Sequence, residues 1–237
     1  MKAIMNWSGG KDSTLALYKV LSEGIELHGL FTTISHQLRR ITMHGVREEL
    51  LDAQAAALGI LLQKLELPAS DTMDLYNELM QEKMNAFKME GVTHSVFGDI
   101  HLEDLKKYRE EQLKKVGVEA LFPLWKRPVS DVVTEFINLG FKAVVVCVNA
   151  RYLDQSFVGR ILDADFIKDL PDNVDVCGEN GEFHSFVYDG PIFKQPVPIA
   201  LGEVVYKDYS NGTEDLGYDT GFYFQDLILS KRNFKVD

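Results

Sequence analysis

Lys2-Ala3-Ile4-Met5-Asn6-Trp7-Ser8-Gly9-Gly10-Lys11-Asp12-Ser13 opens the chain and decides its fold class. Lys2 to Trp7 is a short apolar run with strand character. Beyond Gly10 the pattern is helical: Leu15, Leu17, Tyr18 and Leu21 recur at helical spacing until Gly24 stops it. Ser8 to Ser13 therefore join a strand to a helix N-terminus, where unpaired N–H groups meet the positive end of the helix dipole. Two adjacent glycines let the backbone approach an anion closely. Ser8 and Ser13 add hydroxyls, and Lys11 adds a mobile positive charge. The constellation suits a pyrophosphate at the carboxyl edge of a parallel sheet. It has neither the GxxxxGK spacing of a Walker A loop nor the GxGxxG of a dinucleotide fingerprint.

Working outward, strand-like runs at Glu26–Ile34, Leu61–Leu67, His94–Gly98 and Ala120–Leu124 alternate with helical patterns at Val46–Leu58, Asp71–Met89 and Leu102–Val116, Asp71 being a candidate N-cap. That alternation predicts an α/β fold: a Rossmann-like parallel sheet with helices on both faces. Pro123-Leu124-Trp125-Lys126-Arg127-Pro128 then interrupts regular structure. Beyond it come a helix from Ser130 to Leu139, an apolar strand Ala143–Val148 and a helix over Phe157–Asp169. From Val174 the chain becomes hairpin-like, punctuated by Gly178, Gly181, Gly190, Gly202, Gly212 and Gly217, and ends in a strand at Phe222–Leu229. Two domains are expected: residues 1–125, carrying the phosphate loop, and residues 126–237, a smaller α/β unit.

Composition narrows the partners. Against 25 Lys and Arg stand 36 Asp and Glu, a net charge of −11 over 237 residues. Such a surface repels phosphodiester backbones, so extended nucleic-acid binding is not expected. A local anion site built from backbone amides remains compatible with it. No apolar run approaches the ~20 residues of a membrane span, and no signal-peptide core precedes Ser8. The two cysteines, Cys147 and Cys177, form no CxxC and exclude both a disulfide scaffold and a four-cysteine zinc site. A cytoplasmic protein is expected, and a homo-oligomer is compatible with the sequence.

Three stretches, in order, carry a family resemblance. Ser8–Ser13 resembles the signature of the PP-loop ATP pyrophosphatases, which split ATP into AMP and pyrophosphate. Gly98-Asp99-Ile100, followed by Tyr108-Arg109 and Phe122-Pro123-Leu124-Trp125, is similar to the middle of the diphthine–ammonia ligase family. Cys177-Gly178-Glu179-Asn180-Gly181-Glu182-Phe183-His184, continuing to Asp189-Gly190-Pro191, resembles that family's second-domain signature. The resemblance implies a HUP-type nucleotide domain completed by a small α/β domain, with ATP and Mg2+ as cofactors. It also implies ammonia and a carboxylate acceptor as partners, and an acyl-adenylate route to an amide. Met43-His44-Gly45-Val46-Arg47 resembles the bacterial members, in which an acceptor other than diphthine is expected.

Ser8, Gly9, Gly10, Lys11, Asp12 and Ser13 would cradle the phosphates, with His44, Gly98 and Asp99 also lining the nucleotide site. Asp12 and Asp99 are the candidate magnesium ligands. Asp12 is equally readable as a first-turn acid favoured by the helix dipole, and Asp99 as a cap on the helix after it. Lys11, Asp12, Glu179 and Glu182 are the candidate catalytic groups, the two glutamates binding or deprotonating ammonium or holding a cationic substrate group. Two other functions fit a PP-loop: sulfur transfer to tRNA, which would need Cys177 as a nucleophile, and an adenine-nucleotide sensor without turnover.

Overall fold

A computed structural model of the protein describes residues 1–41, 45–68, 72–209 and 221–230. Strands β1 (Lys2–Asn6), β2 (Glu26–Ser35), β3 (Leu62–Leu67), β4 (His94–Val96) and β5 (Glu119–Leu121) form a sheet in the order β3-β2-β1-β4-β5, with every neighbouring pair parallel. Side-chain alternation along β1 sorts the helices onto two faces. Ala3 and Met5 share a core with Leu15 and Leu17 of α1 (Lys11–Ser22) and Leu50 and Leu51 of α2 (Glu48–Leu58). Ile4 lies on the other side, with Met84 and Phe87 of α3 (Met73–Met89) and Leu113 and Val116 of α4 (Glu103–Val116).

The chain moves from β1 outward to β3 and then returns to place β4 on the other side of β1. The reversal opens a crevice between β1 and β4, at their carboxyl ends, where such sheets bind ligands. The loops leaving those two strands are the ones that carry Ser8–Ser13 and Gly98–Ile100.

The second sheet is antiparallel, in the order β7-β6-β9-β8, and comprises β6 (Lys142–Asn149), β7 (Phe183–Asp189), β8 (Ile199–Asp208) and β9 (Gly221–Leu229). It rests on the α1–α2 layer, α1 touching β7 and α2 touching β9. Val144, Phe186 and Leu227 consequently join the same core as Leu15 and Leu50. Helix α5 (Val129–Asn138) turns Val132, Val133 and Phe136 inward, and Phe136 stacks on Phe141. Among the described residues no helix is long and apolar enough to cross a membrane.

Three local expectations change. The helix over Phe157–Asp169 is a single 3-10 turn at Gln155–Phe157 and a short α6 (Ala164–Asp169). Gly159 in the left-handed region and a bridge between Val144 and Ile161 separate the two, and the Asp163 carboxylate starts α6 by accepting from the Phe166 N–H. The strand expected at Ala120–Leu124 ends at Leu121, before Pro123. Asp71 lies outside the described residues, as do Gly212 and Gly217; the cap of α3 is Thr72, whose hydroxyl accepts from the Leu75 N–H at 3.2 Å.

Candidate functional site

The phosphate loop is held from three directions. Gly9 takes a left-handed conformation, φ 76°, that a side chain would strain, and a Cβ there would stand 2.5 Å from Gln54 Oε1. Its carbonyl accepts two hydrogen bonds, from Gln54 Nε2 at 2.9 Å and from the Val187 N–H of β7 at 2.9 Å. Within the loop the Ser8 and Ser13 hydroxyls stand 3.0 Å apart, and Ser13 Oγ and Thr14 Oγ1 both donate to the Gly10 carbonyl. The first N–H of α1, on Lys11, donates to Ser185 Oγ of β7 at 3.2 Å. The second sheet thus hydrogen-bonds to the loop through Ser185 and Val187 of one strand.

Lys11 is buried, with its ammonium 5.8 Å from the centre of the Phe183 ring. It donates to both Asp12 carboxylate oxygens, at 2.8 and 2.7 Å. Burial is the largest influence and disfavours the charged lysine. The charge of Asp12, its hydrogen bond and the charge of Glu179 outweigh it and hold Lys11 above the ordinary lysine range. In this state the lysine and the aspartate neutralise each other.

Gly98 packs directly on the first turn of α1: a Cβ would lie 2.8 Å from the Asp12 carbonyl carbon and 2.9 Å from the Ser13 nitrogen. Its glycine character thus serves a backbone contact that sets the two loops against each other. Asp99 follows, forming a two-point ion pair with Arg109 of α4: 2.9 Å from Nε to Oδ2 and 3.2 Å from the second nitrogen to Oδ1. Burial raises the Asp99 pKa, Arg109 opposes the rise, and nearby Asp12 adds to it. Asp99 therefore faces the phosphate loop but presents a carboxylate already spanned by arginine. Arg109 in turn lies 4.2 Å over the Phe97 ring.

The two glutamates of the Cys177–Glu182 loop behave differently. Glu179 reaches across to the first half of the chain, where its Oε1 accepts from the Ile100 N–H at 2.8 Å and the His101 N–H at 3.4 Å. Burial raises its pKa, the Ile100 hydrogen bond opposes the rise, and Asp12 and Lys11 both act on it electrostatically. Glu182 is buried and turned into its own loop, accepting from the Asp175 N–H, the Asn180 N–H and Asn180 Nδ2 at 3.0–3.2 Å. The structure thus brings Ser8–Ser13, Gly98, Asp99 and Glu179 together at the switch point, while Glu182 organises the turn behind them. His44 lies outside the described residues.

Neither cysteine is poised as a nucleophile. Cys177 is 2% exposed, its thiol donates to the Val129 carbonyl at 3.2 Å, and burial pushes its pKa up to about 12. Cys147 sits inside β6, with its thiol likewise pushed up to about 12. Among the described residues no group of three His, Cys, Asp or Glu side chains is placed to hold a metal ion.

Three residues of the site belong to no motif. Ser185 and Val187 lie in β7 and act partly through backbone, so composition carries no sign of them. Gln54 does leave a trace: it is a polar residue on the buried stripe of α2 formed by Leu50, Leu51, Ala55 and Leu58.

A parallel α/β sheet with an SGGKDS loop at its switch point, closed by a second sheet, defines an α/β protein of the PP-loop type. Residues 1–120 match the family model of the diphthamide synthase N-terminal domain, and residues 129–216 match that of the diphthamide synthase C-terminal domain. The chain belongs to the diphthamide synthase family. Its curated relatives include the diphthine–ammonia ligases of Homo sapiens and Bos taurus, each 26% identical over 220 residues that cover 84% of this chain and 82% of theirs. The Danio rerio diphthine–ammonia ligase is 24% identical over 234 residues, 86% of this chain and 89% of its own. A solved U34-tRNA thiolase from Methanococcus maripaludis aligns with a TM-score of 0.36 at 20% identity, over 59% of this chain and 57% of that one.

Proposed function

We propose that the protein is an ATP-dependent ligase that adenylates a carboxylate, releases pyrophosphate and transfers ammonia to the activated acyl group, as the diphthine–ammonia ligase name of its relatives suggests. One observation carries the reading: the phosphate loop, the Gly98–Ile100 loop and Glu179 converge at the switch point, and β7 holds the loop from the other sheet. On this reading residues 1–125 bind the nucleotide and residues 126–237 complete the site and face the acceptor. The enzyme would work in the cytoplasm.

An oxygen of the acceptor carboxylate attacks the α-phosphorus of ATP, and the bond from that phosphorus to the β-bridging oxygen breaks. Pyrophosphate leaves, and the acyl-adenylate replaces a poor leaving group with AMP. Lys11, exchanged from Asp12 onto the phosphates, and the N–H groups at the start of α1 stabilise the charge that develops on the departing pyrophosphate. Asp12, partly exposed and released by that exchange, is the residue that would hold a magnesium ion. Magnesium, when bound, neutralises the phosphate charge. Asp99 does not suit it as a direct ligand, because Arg109 occupies its carboxylate; it positions the loop instead.

Ammonium must lose one proton to become the nucleophile and a second as the carbon–oxygen bond to AMP breaks and the amide forms. Glu179, with its raised pKa and its place near Lys11 and Asp12, is the base suited to the first transfer, and the second proton leaves to solvent water. Glu182 stabilises its own turn through the Asp175 and Asn180 hydrogen bonds and takes no part in the transfer. The buried, protonated thiol of Cys177 favours this ligase over a sulfur-transfer enzyme.

The test is product analysis with ATP labelled in its α-phosphate, together with ammonium and a panel of carboxylate acceptors that includes diphthine. Labelled AMP with equimolar pyrophosphate, dependent on both co-substrates, is expected. Labelled ADP with inorganic phosphate would overturn the mechanism, and tight ATP binding without turnover across a panel of carboxylates would favour a sensor.

A further inference from the structure

Gln54 is fully buried on α2, and its side-chain hydrogen bonds all go to the site. Its Nε2 donates to the Gly9 carbonyl at 2.9 Å and to the Val187 carbonyl at 2.6 Å, and its Oε1 accepts from Trp7 Nε1 at 3.0 Å. The contacts come from the end of β1, the loop itself and β7. A carboxamide at a core position is costly unless its groups are satisfied, and here satisfaction comes only with the loop and the second sheet in register.

The consequence for the loop follows from peptide geometry. A trans peptide points its carbonyl and the next N–H in opposite directions. Gln54 Nε2 and the Val187 N–H both draw the Gly9 carbonyl into the protein. The Gly10 N–H is therefore turned outward into the mouth of the loop, where its partner is the Ser8 hydroxyl at a long 3.3 Å. Gly9 holds the left-handed conformation that this flip needs, and the Gln54 side chain occupies the space a Cβ at Gly9 would take.

We propose that Gln54 is a positioning residue for anion binding: it locks the Ser8–Gly10 turn so that the Gly10 N–H faces the pyrophosphate, and it couples that orientation to the docking of β7. Gln54 itself touches no substrate. The inference rests on the phosphate-loop reading above, and its test separates the two.

The probe is inorganic pyrophosphate with magnesium, titrated calorimetrically onto the full chain without turnover, at a temperature below each variant's unfolding. Wild type is expected to bind. Gln54→Glu, which keeps the volume and the acceptor for Trp7 but loses both donors in its carboxylate form, should weaken binding by about tenfold or more, the scale of an unmade buried hydrogen bond. Gln54→Met should do the same. A purely structural glutamine would lower the melting temperature of these variants and leave the affinity of the folded protein unchanged. Affinity within about twofold of wild type in either folded variant overturns the proposal while leaving the phosphate-loop reading intact. Failure of wild type to bind both pyrophosphate and ATP removes the phosphate-loop reading itself. The Gly10 amide resonance of wild-type protein provides a second reading that needs no variant. Addition of pyrophosphate should shift it and protect it from hydrogen exchange, and an unmoved, unprotected Gly10 in a protein that binds pyrophosphate overturns the proposal.

Discussion

The phosphate loop and the Cys177–Glu182 loop are both glycine-bounded turns carrying charged side chains, yet they use those charges in opposite ways. In the phosphate loop the backbone is pinned from outside by Gln54, Ser185 and Val187, and the charges of Lys11 and Asp12 are hydrogen-bonded to each other. Such a pair can be exchanged for an incoming anion and cation. In the second loop, one carboxylate, Glu182, is consumed by the loop's own amides, and the other, Glu179, is exported to the backbone of residues 100 and 101. A charge available for chemistry and a charge spent on folding therefore sit three residues apart in a motif that looks uniform.

The largest effect that would break this contrast is at Lys11. Lys11→Ala should reduce AMP formation by about 10²–10³-fold, the range for removing one transition-state donor, while circular dichroism stays unchanged. A variant that unfolds while its residual activity per folded molecule stays normal would show the lysine to be structural after all.

Glu182→Ala should do the reverse. It strips the partner from the Asp175 N–H, the Asn180 N–H and Asn180 Nδ2. The expected cost is roughly 3 kcal/mol, which lowers the melting temperature by about 10 °C in a chain of this size, with turnover of the folded fraction retained. Loss of turnover at an unchanged melting temperature would make Glu182 a chemical group.

Glu179→Gln sharpens the comparison through pH. Burial holds the Glu179 pKa above its unfolded value, so the native state binds the proton more tightly than the unfolded chain does. Stability then falls as pH rises from the ordinary carboxylate range through the raised value and is level beyond it. The glutamine keeps an oxygen for the Ile100 N–H and has no charge to desolvate. The melting temperature of the variant relative to wild type should therefore climb across that window; a difference that is flat with pH would contradict the assignment. Asp99 titrates in the same direction in both proteins, so the subtraction isolates Glu179.

The smallest effect is expected at Cys177. Cys177→Ala should leave turnover within about twofold, because a thiol with its pKa pushed up to about 12 has essentially no thiolate at neutral pH. An inactive but folded Cys177→Ala protein would revive the sulfur-transfer alternative.

Legibility in the sequence follows locality. The strand, the SGGKDS turn and α1 are contiguous, so their relation can be read directly, and the parallel sheet follows from the alternation of short strands with helices. The 157–169 region misleads because its apolar spacing suits a helix, whereas Gly159 and the bridge from Ile161 to Val144 are tertiary outcomes. Glu179 and Glu182 can be singled out but not told apart, since which carboxylate faces inward depends on how the turn closes. Gln54 shows as a polar interruption of an apolar stripe, a signal of burial without a partner. Ser185 and Val187 give no sign, because the bonds that matter run between one sheet's strand and the other sheet's loop, more than 170 residues apart along the chain.

On the proposed route an acceptor carboxylate is joined to AMP before ammonia arrives. The most direct measurement uses the carboxylate acceptor that supports AMP release, diphthine or another from the panel, with both carboxylate oxygens replaced by 18O, together with ATP, magnesium and ammonium, and mass analysis of the AMP released. Adenylation predicts one 18O atom in the phosphate of each AMP. AMP free of label, formed together with the amide, would contradict it.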